Sequence, residues 1–94
     1  MADLLGPHRK KILQAVRRHR GLAPRVFGSV ARGEARSDSD VDLLVRFERG
    51  ADIFDRIRLQ IELEDLLGRK VDVVPEGRLK WYVAPQALAE AVAL

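Results

Sequence analysis

The stretch VFGSVARGEARSDSDVDLLVRF, Val26 to Phe47, places two acids one residue apart in an apolar run, just after a glycine–serine turn. Its second half alternates. Val41, Leu43, Val45 and Phe47 fall on one face of a strand, and Asp40, Asp42, Leu44 and Arg46 on the other. Asp40 and Asp42 therefore leave the same face, about 7 Å apart at the backbone. Downstream, Lys70 to Val74 reads as a second strand in which Asp72 opposes Val71 and Val73. If the two strands are neighbours, three carboxylates converge. Two unit charges ~7 Å apart repel by about 2–3 kcal/mol at an effective dielectric near 20. No internal cation in the pattern answers all three acids, so a hard divalent ion, Mg²⁺ or Mn²⁺, is the expected neutraliser. A bare Asp-x-Asp would be explained by solvation on a wet sheet face. The turn upstream is what argues for a site.

Arg25-Val26-Phe27 reads as a short strand running into Gly28-Ser29, with a helical turn over Val30 to Ala35. Such a turn exposes backbone N–H groups, lets a phosphate approach closely and adds a hydroxyl donor. A phosphate cradle beside metal-binding carboxylates implies phosphoryl or nucleotidyl transfer. A calcium loop starting at Asp38 is excluded. It needs glycine at its sixth position and glutamate at its twelfth, where this chain has Leu43 and Arg49.

Outward from this stretch, proline suits the first helical position at Pro7, and Ile12, Leu13 and Val16 recur at helical spacing. A helix is predicted from Pro7 to Arg20, with Gly21 as its cap. Asp52 can cap a second helix over Ile53 to Leu67, terminated by Gly68. That helix carries two apolar stripes: Leu59, Leu63 and Leu66 with Leu67 at the edge, and Phe54, Ile57 and Ile61. One face suffices for a core. The second stripe means a nearly buried helix, a contact with the first or last helix, or a protein interface. Pro75-Glu76-Gly77 reads as a turn, Trp81 and Tyr82 as core or interface filler, and Pro85 as the start of a last helix with Leu88 and Val92 inward. The predicted order is helix, strand, turn, strand, helix, strand, helix: an α/β (α+β) domain with a small mixed sheet packed against helices.

The 94 residues make one domain, spanning 1–94, and the 47% hydrophobic and 33% charged content is that of an ordinary globular chain. The absence of cysteine excludes disulfides and thiolate metal sites. No apolar run approaches the roughly 20 residues needed to span a bilayer, and Leu4-Leu5 is followed at once by Gly6-Pro7 and a basic run, unlike a signal peptide. A cytoplasmic protein with no membrane contact is expected. The net charge is +3, and Arg9, Lys10, Lys11, Arg17, Arg18 and Arg20 crowd the first segment. A solvated helix face accounts for this; so does an anionic partner. Direct nucleic-acid binding is disfavoured, because only this helix argues for it. His8 and His19 lie away from the acids and are read as surface residues.

FGSVARGEARSDSDVDLLV resembles the signature of the polymerase β-like nucleotidyltransferases, and the RGEARSDSDVDL form, with LLGRKVDVV as the third-acid strand, resembles the small MNT (minimal nucleotidyltransferase) group. The resemblance runs from about Val26 to Val74. It implies that Asp40 and Asp42 bind two Mg²⁺ ions. Asp72 would complete the metal site that activates the acceptor hydroxyl. Gly28 and Ser29 would hold the β- and γ-phosphates of ATP, and Arg32 and Arg36 would steady phosphate charge if they are not simply solvated. It further implies that AMP passes to a tyrosine of a partner HEPN-domain toxin, silencing it, the chain acting as an antitoxin in a homo- or hetero-oligomer. A binding-only antitoxin and transfer to a small molecule are the alternatives.

Overall fold

The computed structural model describes residues 5–28, 40–76 and 91–94. The elements run α1 (Arg9–Arg18), β1 (Gly21–Phe27), β2 (Val41–Phe47), α2 (Ile53–Leu67), β3 (Val71–Pro75) and β4 (Val92–Ala93), with a 3-10 turn at Gly6–His8 ahead of α1. The strands form one mixed sheet in the order β3-β2-β1-β4. β1 pairs antiparallel with β2 and with β4, whereas β2 and β3 are parallel and joined through α2. Among the described residues no helix is long and apolar enough to cross a membrane.

The alternation in β2 decides which face is covered. Val41, Leu43 and Val45 are buried with Val71 and Val73 of β3, Ile12, Ala15 and Val16 of α1, and Leu59 and Leu63 of α2. This is the core, between the helices and one sheet face. Asp42 and Arg46 leave the opposite face, where Leu44 is buried in a smaller cluster with Phe27 and Val74.

α2 is fixed at both ends by local chemistry. The Asp52 carboxylate accepts the Asp55 N–H at 3.0 Å, and the Asp55 carboxylate accepts the Asp52 N–H at 2.9 Å. A cap of this kind is worth about 1 kcal/mol. Gly68 ends the helix in the left-handed region, φ 65°. Of its two apolar stripes, the one with Leu59 and Leu63 is buried at 0% and 1% exposure. The other lies open, with Phe54 at 59%, Ile57 at 41% and Ile61 at 60%, joined by Ile53 at 56%. The nearly buried helix is thus not what forms.

Several boundaries differ from the sequence expectation. The first helix begins as a 3-10 turn and stops at Arg18, and the reversal into β1 uses Arg20 at φ 64°. Gly21 is not the cap but the first residue of β1. A Cβ there would lie 2.7 Å from Val16 Cγ1 and 2.8 Å from Val45 Cγ1, so helix and strand close up only over glycine. β1 starts four residues before Arg25, with an irregularity between Leu22 and Arg25 and Ala23 at φ 48°. β3 runs one residue late, so Pro75 is strand and not turn. Val92 lies in β4, paired with Val26, and not on a helix. Trp81, Tyr82, Pro85 and Leu88 lie outside the described residues.

Candidate active site

The central pair of acids is set by strand register. In the parallel β2–β3 ladder Asp42 stands opposite Asp72. Both leave the face away from the helices, Asp42 half-buried and Asp72 exposed. Adjacent strands lie about 4.8 Å apart. Two carboxylates at that spacing repel by about 3 kcal/mol at an effective dielectric near 20. A one-residue slip of β3 would turn Asp72 into the core and its valines out, so the apolar pattern of β3 enforces the pairing.

Gly28 completes this corner. β1 brings Phe27 opposite Asp42, and Gly28 follows at φ 74°. A Cβ on Gly28 would run into Oδ2 of Asp42 and sit 3.3 Å from its Cγ. The strand-to-turn junction therefore presses bare backbone against the carboxylate, which only glycine permits.

Asp40 is exposed and lies just before β2. Among the described residues no three His, Cys, Asp or Glu side chains gather as a metal-binding group. Of the three aspartates expected to meet, the register sets Asp42 opposite Asp72. Ser29, Arg32 and Arg36 lie outside the described residues. The donor chemistry of the pair nonetheless fits a hard divalent cation, since both ligands are carboxylate oxygens on neighbouring strands.

Two further groups of residues bear on this face, and the sequence pattern did not single them out. Glu76, just past β3, accepts from Arg25 Nη2 at 2.5 Å and from Arg46 Nε at 2.8 Å. It thereby ties β1, β2 and the end of β3 together beyond Leu44. The hydrogen bond to Glu76 holds the Arg46 guanidinium above its ordinary pKa. On the outer edge of β3, Glu64 Oε2 accepts the Val71 N–H at 3.1 Å and Gln60 Oε1 accepts the Val73 N–H at 3.2 Å. A sequence signal existed for the second group: Gln60 and Glu64 are polar at a four-residue step on a helix between two strands.

The sequence profile of the family described as nucleotidyltransferase domain matches residues 9–94. Protein adenylyltransferase MntA of Thermococcus cleftensis is 49% identical over 67 residues, which cover 71% of this chain and 68% of that protein. Among solved structures, a chain provisionally described as a minimal nucleotidyltransferase superposes with a TM-score of 0.87 at 48% identity, over 99% of this chain and 95% of its own. A toxin–antitoxin complex with AMP-PNP superposes at 0.72 with 25% identity, over 89% and 69%.

Proposed function

The chain belongs to the nucleotidyltransferase domain family and is a transferase, and from that premise we propose that it is a protein adenylyltransferase: it moves AMP from ATP to a hydroxyl, a tyrosine of a partner HEPN-domain toxin, and acts as that toxin's antitoxin in the cytoplasm. The observation that carries this reading is the Asp42–Asp72 register beside Gly28. The likeness to a protein adenylyltransferase and to a toxin–antitoxin complex with an ATP analogue supports the substrate and the partner class.

Asp42 and Asp72 would hold divalent magnesium, with Asp40 within reach from the preceding residue. Bound Mg²⁺ supplies charge neutralisation of the triphosphate and a lowered pKa for the acceptor hydroxyl. Gly28 offers the phosphates a backbone surface with no Cβ in the way. Ser29 follows it with a hydroxyl donor, and Arg32 and Arg36 would add phosphate contacts. The acceptor oxygen attacks the α-phosphorus in line. A new O–P bond forms, the bond to the oxygen bridging to the β-phosphorus breaks, and pyrophosphate leaves with that bond's electron pair. The acceptor's proton passes to the carboxylate of Asp72, the more exposed of the pair.

The likeness to a protein adenylyltransferase favours a protein over a small molecule as the acceptor. Its contact surface would be the open α2 stripe of Ile53, Phe54, Ile57 and Ile61. Lys10, Lys11 and Arg17 of α1 are exposed as well. This docking face is separate from the acid pair.

The experiment mixes the chain with ATP labelled at the α-phosphate, Mg²⁺ and the toxin encoded beside it. Label should pass to the toxin with the wild-type chain and not with Asp42→Asn. If label never transfers while Asp42→Asn still neutralises the toxin fully, the chain acts by contact alone, which is the second reading.

A further inference from the structure

We propose that Gln60 and Glu64 are positioning residues that hold Asp72 in line with Asp42. The proposal rests on the reading of that pair as the metal and nucleotide site. Among the described residues β3, five residues long, is an edge strand that pairs only with β2. On the outer side, the amides immediately before and after Asp72 are taken up by α2: the Val71 N–H by Glu64 Oε2 at 3.1 Å, the Val73 N–H by Gln60 Oε1 at 3.2 Å. Arg56 Nη1 adds a long contact to the Val73 carbonyl at 3.4 Å.

The spacings match. Four residues along a helix rise about 6 Å, and two residues along a strand about 6.7 Å. Gln60 and Glu64 therefore work as a two-pronged ruler laid along β3, one prong on each side of Asp72. The valines of β3 already exclude a one-residue slip, because that would bury Asp72. They do not exclude a two-residue slip, which keeps Val71 and Val73 facing inward. Such a slip would move Asp72 about 6.7 Å along the strand, to about 8 Å from Asp42, and the two side-chain acceptors oppose it.

A purely protective role makes a different prediction. Polar cover on an edge strand discourages pairing with other chains, and losing it would change association and leave the site intact.

The test uses the full chain with AMP-PNP and Mn²⁺, the Mn²⁺ dissociation constant being read by electron paramagnetic resonance and melting temperature recorded for each variant. Gln60→Leu and Glu64→Leu should each raise that constant severalfold, and the double variant at least tenfold, at a melting temperature within a few degrees of wild type. Hydrogen exchange at the Val71 and Val73 amides should accelerate in parallel. Glu64→Gln, which keeps an oxygen acceptor, should restore near-wild-type Mn²⁺ binding. Constants are expressed per folded molecule, so an unstable double variant leaves the single variants to decide. Unchanged Mn²⁺ affinity in the leucine variants, while Asp72→Asn weakens it, would overturn the ruler and keep the site. Unchanged affinity in Asp72→Asn itself would instead remove the reading on which the ruler depends.

Discussion

Gly28 lies so close to Asp42 that no side chain fits between them: a Cβ on Gly28 would collide with the Asp42 carboxylate. Two penalties fall on Gly28→Ala. The backbone there is left-handed, φ 74°, which costs a residue with a Cβ about 1–2 kcal/mol, and the new methyl displaces a carboxylate that the reaction needs in place. We expect adenylyl transfer to fall at least tenfold, with a modest drop in melting temperature. Transfer at the wild-type rate, measured with labelled ATP, would mean that this contact is incidental.

Asp42→Asn and Asp72→Asn should each cut transfer by a hundredfold or more without loss of fold. Their carboxylates stand in register on adjacent strands, so removing one charge relieves repulsion. Melting temperature should hold or rise. A sharp fall in both variants would make the pair structural. Asp40→Asn should also reduce transfer.

The open stripe of α2 separates docking from folding. Ile57→Glu and Ile61→Glu replace side chains that are 41% and 60% exposed, so stability should change by no more than about 0.5 kcal/mol. Binding to the toxin, followed by titration calorimetry, should weaken at least tenfold. Leu59→Ala, on the buried stripe of the same helix, should instead cost about 2–5 kcal/mol in denaturant unfolding. Wild-type affinity in both glutamate variants would move the docking face elsewhere.

Acid should loosen the junction between the two helices. Glu62 accepts from His19 Nε2 at 2.9 Å and pairs with Arg18. The His19 hydrogen bond, helped by Arg18, holds its carboxyl below the ordinary value of 4.5. A carboxylate with a lowered folded pKa stabilises the fold above its unfolded pKa, and that contribution fades as pH falls through the folded value. Stability measured from pH 6 downward should therefore decline below the ordinary carboxylate range, and less steeply in Glu62→Gln. Identical slopes for the two proteins would show that the junction contributes nothing.

Much of the fold was legible in advance. β2 spans Val41–Phe47 and α2 spans Ile53–Leu67 with an Asp52 cap and Gly68 stop, because each is written in strict periodicity and local capping chemistry. The start of β1 was not legible. Gly21 reads as a helix cap, and the strand accommodates it and Pro24 through an irregularity at Leu22/Arg25 in the pairing with β2. β4 was missed because two residues of an alanine-rich tail carry no period; only pairing with Arg25 and Val26 makes them a strand. The two stripes of α2 are equally apolar, so which one is buried was decided by the sheet. In the site, the alternation of β2 and β3 agrees with the register that sets Asp42 opposite Asp72, and Asp40 stands one residue ahead of the strand. The Glu76 bridge joins residues brought near by topology, beyond the reach of local pattern, whereas the four-residue step of Gln60 and Glu64 was visible but not what it would meet.

The central claim is that Asp42 and Asp72 jointly hold the metal that meets the triphosphate. The most direct measurement is anomalous diffraction from crystals of the chain grown with Mn²⁺ and AMP-PNP. The account predicts a manganese peak within about 2.3 Å of a carboxylate oxygen from each of the two residues, with triphosphate against the Gly28 backbone. A peak lying away from both, or nucleotide bound on another face with the pair untouched, would contradict it.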